Sequence, residues 1–191
     1  MFLSRLKIDA AATVNPYEVH RLLWSVFPGM PDASRPYLFR VMPQRHAAQR
    51  DVLMQSTLRP SAPADPRVAL VQCQEFSPRF TAGQRLLFDV RANPVKRMAS
   101  TGDRVPLIRD DERLRWLKRQ LDAAAEVESG EVVGSERLYF RKPGKRPGKI
   151  EAVTISGLLR VKDPACLLDA CGEGIGPAKS FGCGLLLLRK A

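Results

Sequence analysis

Hydrophobic and polar residues in the N-terminal 76 positions predict the order β, α, β, β, loop, β. The stretch FLSRLKID at 2–9 alternates apolar and polar residues, which is typical of a half-buried strand. Asn15 and Pro16 are favourable residues for a helix start, and apolar residues then recur at helical spacing until FPG at 27–29. Three further strands are predicted, the last after the proline-rich RPSAPADP, at 37–42, 51–56 and 68–76.

The remaining residues repeat this order. A strand at 84–93 precedes the amphipathic helix RDDERLRWLKRQLDAA at 109–124, which has acidic residues in its first turn. The turn-rich KPGKRPG separates ERLYFR from KIEAVTISGLLRV and predicts a hairpin. Asp163 and Pro164 then begin a short helix, and LLLLRK at 185–190 is expected to be a buried final strand.

Two consecutive β-α-β-β-α-β runs predict an α+β protein of two tandem ferredoxin-like (RRM-like) domains, with proline disrupting the second helix of the first domain. We expect an N-terminal domain over 1–76, a linker at 77–83 and a C-terminal domain over 84–191. Sheets of this kind often bind RNA, although the same fold serves many functions.

The chain carries a formal charge of +11, yet 45% of its residues are hydrophobic, so we expect a folded protein with a polyanionic partner. Nucleic acid is favoured over an anionic membrane because no predicted helix opposes a basic face to a wide apolar one. Neither a signal peptide nor a membrane span is predicted, and we expect an intracellular, cytoplasmic protein. The four cysteines form no C-x-x-C pair and are interpreted as reduced core residues.

His20 is one of only two histidines, and it lies at the border of the apolar stripe of the first helix, near Tyr17 and Arg21. One interpretation is a side chain that merely covers the core. The other is proton transfer, because a neutral imidazole can accept or donate a proton near neutral pH and Tyr17 can reach the same substrate atom. Trp24 is expected to project away from the core. His46, in the polar run PQRHAAQR, is interpreted as a solvated loop residue.

The glycine-rich segment GEGIGPAKSFGCG at 172–184 fits neither the dinucleotide fingerprint nor a Walker loop. Two interpretations stay open: a phosphate-binding loop in which Lys179 and Ser180 are donors, or a turn into the last strand. Its candidate functional glycines are Gly174, Gly176, Gly182 and Gly184.

Basic residues crowd the hairpin RLYFRKPGKRPGK at 137–149, with almost no acid among them. Such a cluster is either a solvated face or a phosphate contact, and mutual repulsion favours the phosphate contact. The candidate RNA-binding cations of the hairpin are Arg137, Arg141, Lys142, Lys145, Arg146 and Lys149. Those elsewhere are Arg21, Arg91, Lys96, Arg97 and Lys179.

Four stretches, NPYEVH, RANPVKR, RVPLI and above all GIGPAKSFGCGLL, together resemble the CasE-type CRISPR RNA-processing endoribonucleases of the Cascade system. The resemblance covers nearly the whole chain, and the pair Tyr17 and His20 narrows it to this branch. It implies a tandem ferredoxin-like fold that binds the CRISPR repeat RNA hairpin and cuts once at the 3′ base of the stem. It also implies that no metal or cofactor is used and that the enzyme stays on the mature guide RNA with the other Cascade subunits.

The chemistry of RNA fits these residues independently, because the 2′-hydroxyl beside each phosphate supplies the nucleophile. His20 is predicted to be a general base or acid, with Tyr17 acting in orientation or proton transfer. Lys179 and Ser180 are expected near the phosphate. The sequence does not decide which of His20 and Tyr17 is the base. The alternative function is a non-catalytic RNA-binding protein of the same fold, such as a ribosomal or scaffold subunit.

Overall fold

The computed structural model describes residues 1–29, 35–43, 48–100, 102–144 and 146–191. Contacts divide the chain into two compact units. The first unit comprises Met1–Ser77, Tyr139–Gly148 and Lys179–Gly182. The second comprises Pro78–Leu138, Lys149–Ala178 and Cys183–Ala191. The domains expected at 1–76 and 84–191 stay a prediction, but packing assigns the hairpin tip and part of the glycine-rich segment to the first unit.

The first unit contains a four-stranded antiparallel sheet with strand order β2-β3-β1-β4. Its elements are β1 (Phe2–Asp9), α1 (Pro16–Leu23), β2 (Tyr37–Val41), β3 (Gln49–Ser56) and β4 (Val68–Glu75). The apolar stripe of α1 is buried against the sheet, as Leu23 on the helix and Leu6 on β1 illustrate. Residues 57–67 contain no helix, in agreement with their proline content.

The second unit contains a sheet with strand order β10-β5-β9-β8 and a separate two-stranded β6-β7 hairpin. Its first elements are β5 (Arg85–Ala92), β6 (Val95–Arg97), β7 (Arg104–Pro106) and α2 (Asp110–Leu121). Its last are β8 (Ala125–Phe140), β9 (Gly148–Val161), α3 (Pro164–Glu173) and β10 (Leu186–Lys190). The ends of β8 and β9 at the hairpin tip belong to the first unit.

Two sequence-based expectations about strands were wrong. β8 begins at Ala125, well before the expected residue 136. Its first four residues alternate between buried and exposed positions, but from Glu128 on this edge strand is largely exposed and the alternation is lost. β10 is buried only at its start, since Leu186 is buried whereas Arg189 and Lys190 are exposed.

The two four-stranded sheets with their helices confirm the α+β class and the tandem ferredoxin-like fold. The four cysteines are in the reduced thiol form, and Cys171 and Cys183 are buried. Within the described ranges, no helix has the length and apolar character required to cross a bilayer.

Candidate active site

The Asn15 side chain, at the start of α1, makes hydrogen bonds with both its amide oxygen and its amide nitrogen. Its Oδ1 accepts a hydrogen bond from the Tyr17 main-chain N–H (3.2 Å), which caps the helix as the sequence predicted. Its Nδ2 donates to the carbonyl oxygen of Arg141 (3.0 Å), in the turn that follows β8. One side chain therefore both starts the helix that carries His20 and holds the basic turn against it.

His20 is half-buried, and both ring nitrogens have partners. Nδ1 lies 3.0 Å from the Tyr37 hydroxyl oxygen, which also donates to the His20 carbonyl oxygen (2.9 Å). The Trp24 Nε1–H donates to Nε2 of His20 (3.4 Å). In the part of the chain that the structure describes, Tyr17 makes no hydrogen bond or ring contact with His20. The phenol beside His20 is therefore that of Tyr37.

Trp24 does not project away from the core as expected. It is half-buried and packs edge-on against the rings of Phe27 and Tyr37, with centroids 6.4 and 5.7 Å away. α1 ends at Leu23, and Trp24–Val26 continue as a 3-10 turn, so the helical spacing used for the prediction no longer applies there.

Two cations lie near His20. Arg35 donates from Nε to the Tyr37 carbonyl oxygen (2.7 Å) and from Nη1 to Oγ of Ser180 (3.0 Å). Lys142 Nζ lies 5.5 Å from the ring centroid of Tyr17 and 5.9 Å from that of Phe181, which is the geometry of cation–π contacts. The guanidinium and the ammonium are thus both held by neighbouring side chains.

These surroundings keep His20 neutral. Burial lowers the pKa of His20 from 6.5 to about 4, and the charges of Arg35 and Lys142 contribute in the same direction. Burial also raises the pKa of Tyr37, so its hydroxyl stays protonated. An anion bound beside the two cations would offset their effect on the imidazole.

The 3-10 turn Lys179–Phe181 lies against α1 and β2, and the Arg35–Ser180 bond joins it to the segment just before β2. The residue that follows, Gly182, has φ +78°, and a Cβ there would lie 3.2 Å from Cε2 of Phe39. Gly182 thus permits the backbone conformation that ends the turn carrying Lys179 and Ser180.

The other candidate glycines also shape the backbone. Gly174, Gly176 and Gly184 all have positive φ, and Gly174 ends α3. A Cβ on Gly176 would lie 2.6 Å from the Trp116 ring, and the Gly184 N–H donates to the Arg91 carbonyl oxygen (2.7 Å). These contacts fit the interpretation of the segment as a turn into the last strand.

Three of the candidate RNA-binding cations are paired with acids, and one of the three, Arg137, belongs to the hairpin. The side-chain pairs are Arg21–Glu18 at 3.2 Å, Arg91–Glu136 at 2.6 Å and Arg137–Glu151 at 3.4 Å. Glu136 and Glu151 reach cations that are distant in sequence, whereas Glu18 lies on the same helix as Arg21, three residues before it.

The remaining candidate cations differ in exposure. Lys96 and Arg97 are exposed on β6, and Arg97 donates to the Gly102 carbonyl oxygen (3.0 Å). Among the described residues, three exposed cations of the hairpin have no ion-pair partner: Arg141, Arg146 and Lys149. Lys145 and His46 lie outside the described residues.

An open cleft of about 620 Å³ lies between the start of α1 and the basic turn. Its charged lining consists of three cations, Arg141, Lys142 and Arg146, and one acid, Glu18, which is paired with Arg21. Such a positively charged recess can hold phosphate groups beside the helix that carries His20. Within the described ranges, no three His, Cys, Asp or Glu side chains are grouped to hold a metal ion.

Sequence reasoning missed Trp24, Arg35 and Tyr37 as members of this site. Tyr37 is the first residue of β2 and lies 17 positions from His20, so no helical or strand spacing connects the two. The available signal was chemical: the run RPYLF places a guanidinium and a phenol next to each other at a strand start.

Comparison with known proteins gives consistent full-length matches. The family model described as "CRISPR associated protein" matches residues 1–190. The chain is 39% identical over 199 residues to the CRISPR system Cascade subunit CasE of Escherichia coli (strain K12), covering 98% of each. It is 34% identical over 207 residues to the CRISPR-associated endoribonuclease Cse3 of Thermus thermophilus, covering 97% of this chain and 98% of the relative.

A solved structure extends the likeness to three dimensions. Thermus thermophilus Cse3 bound to an RNA representing a pre-cleavage complex matches with a TM-score of 0.86 and 30% identity. The match covers 99% of this chain and 100% of that one.

Proposed function

The chain belongs to the CRISPR-associated protein family, and from this membership we propose that it is an endoribonuclease of the CasE type. In this proposal it binds the repeat hairpin of precursor CRISPR RNA, cuts at the 3′ base of the stem and stays on the product within Cascade. The names of the two curated relatives, a Cascade subunit and an endoribonuclease, support this assignment. The observation that carries it is a neutral His20 with two cations, Arg35 and Lys142, nearby.

The reaction is attack of a ribose 2′-oxygen on the adjacent phosphorus. The bond from the 2′-oxygen to phosphorus forms and the bond from phosphorus to the 5′-oxygen breaks, which leaves a cyclic phosphate and a 5′-hydroxyl. One proton leaves the 2′-hydroxyl and one reaches the 5′-oxygen. The protein must align these atoms, move the two protons and stabilise the charge on the phosphorane.

His20 takes the role of general base. A group with a pKa of about 4 is almost entirely unprotonated at neutral pH, so its imidazole is available to accept the 2′-hydroxyl proton, and phosphates bound beside the two cations raise its basicity. Tyr17, whose ring lies under the ammonium of Lys142, orients the substrate or donates the proton to the 5′-oxygen. Arg35, Lys142 and Lys179 supply positive charge for the phosphorane, and Ser180 positions Arg35.

Binding of the hairpin uses the cleft and the basic turn beside it. Arg141 and Arg146 line the cleft, and Lys149 lies exposed on β9, where phosphates of an RNA backbone can reach it. Backbone contacts suit duplex RNA, since side chains cannot readily read bases in its deep, narrow major groove. Arg21, Arg91 and Arg137 contribute to RNA binding only if a phosphate replaces their acidic partner or binds the arginine beside it. As a partner of the other Cascade subunits, the protein acts in the cytoplasm.

The test is cleavage of the source organism's own repeat RNA, analysed on denaturing gels. We expect cutting in EDTA, a cyclic phosphate on the 5′ product, and no cutting when the 2′-hydroxyl at the scissile position is replaced by hydrogen. His20→Ala should cut at least about a hundredfold more slowly with affinity within a few fold of the parent, and His46→Ala is the matched control. Binding without any cleavage by the parent would instead identify a non-catalytic RNA-binding subunit.

A further inference from the structure

The hydrogen-bond partners of His20 determine which of its nitrogens carries the proton. The Tyr37 hydroxyl has a single hydrogen, and the bond to the His20 carbonyl oxygen (2.9 Å) requires it, because a carbonyl can only accept. The contact of 3.0 Å between the same hydroxyl oxygen and Nδ1 must then be donated by Nδ1–H. In the neutral imidazole, Nε2 is therefore the nitrogen without a proton.

The contact of Trp24 with His20 independently indicates that Nε2 is the nitrogen without a proton. An indole N–H can only donate, so its contact of 3.4 Å with Nε2 requires that Nε2 accept. Two side chains from different elements thus specify one tautomer. The Trp24 bond is long, so a substrate hydroxyl can replace it at Nε2 at little cost.

The packing around Tyr37 holds its hydroxyl in a fixed position beside Nδ1 of His20. Tyr37 is 3% exposed, its ring stacks on Phe27 at 5.5 Å with an interplanar angle of 8°, and the ring of Phe39 lies 6.2 Å away. Arg35 also donates to its carbonyl oxygen. A buried, stacked ring on a strand leaves the hydroxyl no alternative position, whereas His20 is only half-buried.

We propose that Tyr37 is a positioning residue that fixes His20 as the Nδ1–H tautomer and thereby makes Nε2 the atom that receives the substrate proton. This inference rests on the proposed function only for its second half. The tautomer itself is a property of the free protein and can be measured without RNA.

The experiment uses ¹⁵N-histidine-labelled full-length protein. Because the chain has two histidines, long-range ¹H–¹⁵N correlation spectra are assigned directly with His46→Gln. We expect His20 in the parent to be in the Nδ1–H form near neutral pH. Tyr37→Phe removes one oxygen atom and keeps the stacked ring. It should move part of the His20 population toward the Nε2–H form that free histidine favours, because only the long Trp24 bond then favours Nδ1–H. Single-turnover cleavage should fall about 10- to 100-fold with unchanged affinity, as expected for a misplaced base.

A matched control separates positioning from general stability. Ser56 pairs with Tyr37 in the β2–β3 register, is 2% exposed and donates its own hydroxyl to the Leu58 carbonyl oxygen (2.7 Å). Ser56→Ala also loses a buried hydroxyl bond to a carbonyl, but it should leave both the His20 tautomer and the cleavage rate unchanged.

Two results would overturn the proposal. The first is an Nε2–H form of His20 in the parent. The second is a Tyr37→Phe variant that is less stable yet keeps the tautomer and the rate, which would reduce Tyr37 to a structural role. If His20→Ala cuts like the parent while the parent spectrum shows the Nδ1–H form, the base assignment of the proposed function fails and the tautomer assignment stands.

Discussion

The lowered pKa of His20 predicts an unusual dependence of cleavage on pH. If His20 is the base, the rate follows the fraction of unprotonated imidazole. For an ordinary histidine with a pKa near 6.5, that fraction falls about 25-fold between pH 7 and pH 5. For a pKa of about 4 it changes only about 1.1-fold over the same range. Cleavage at low RNA concentration, which reports on the free enzyme, should therefore stay almost flat from pH 7 to pH 5.

The cations beside His20 permit a second measurement. Lys142→Gln removes one of the two charges that oppose protonation of the imidazole, so the acid limb of the profile should move to higher pH. The shift should be partial, because burial is the larger cause and Arg35 remains. This variant also loses a contact of the cleft, so the profile is compared after scaling each protein to its own rate at pH 7.

Saturating concentrations of RNA should also move the acid limb of the pH profile to higher pH. Phosphates bound beside Arg35 and Lys142 offset their charges, so the pKa of His20 in the complex lies above that in the free protein. The assay is single-turnover cleavage from about pH 4 to pH 8, so that the acid limb is reached, at RNA concentrations below and above the dissociation constant, with His20→Ala as the reference. A parent rate that falls about ninetyfold from pH 5 to pH 7 would refute the reasoning, since it would make His20 the general acid.

Two further substitutions test the turn and the cleft. Gly182→Ala adds a side chain at positive φ and a close contact with Phe39, so it should lower the free energy of unfolding, measured in urea titrations, by about 1–3 kcal/mol. The control is Gly83→Ala, which should cost less because Gly83 also has positive φ but has open space where the Cβ would lie. Equal losses would mean that the Phe39 contact is unimportant. The double change of Arg141 and Arg146 to alanine should flatten the plot of log affinity against log salt by roughly two, equally for the repeat hairpin and for a scrambled stem. An unchanged slope would place the RNA away from this cleft.

The sequence predicted the parts of the site that depend on local rules. The Asn15 cap, the Pro16 start and the border position of His20 follow from helix geometry alone, and the structure has all three. The partners of His20 do not follow from local rules, because Tyr37 meets His20 only when β2 and α1 pack together. Glu136 and Glu151 form ion pairs with Arg91 and Arg137, which lie on other strands or far along the chain. Counting basic residues in the sequence therefore overestimated the number of cations without an acidic partner.

The middle of β8 illustrates the same limit for the fold. A strand segment that is exposed at most of its positions has no apolar period to detect, and its extended conformation comes from its place in the sheet.

The first unit is assembled from three separate stretches of chain, and this affects when a newly made molecule can act. The bond from Asn15 to Arg141 joins residues 126 positions apart, and that from Arg35 to Ser180 joins residues 145 apart. Contacts between residues so far apart in the sequence form late in folding, because a long loop must close before they contribute any stability. A ribosome-bound chain that already displays His20 on its helix still lacks the turn residues Lys142 and Ser180. If these residues act as we propose, nascent protein can neither bind nor cut RNA at this site until residue 182 has been synthesised and has folded back.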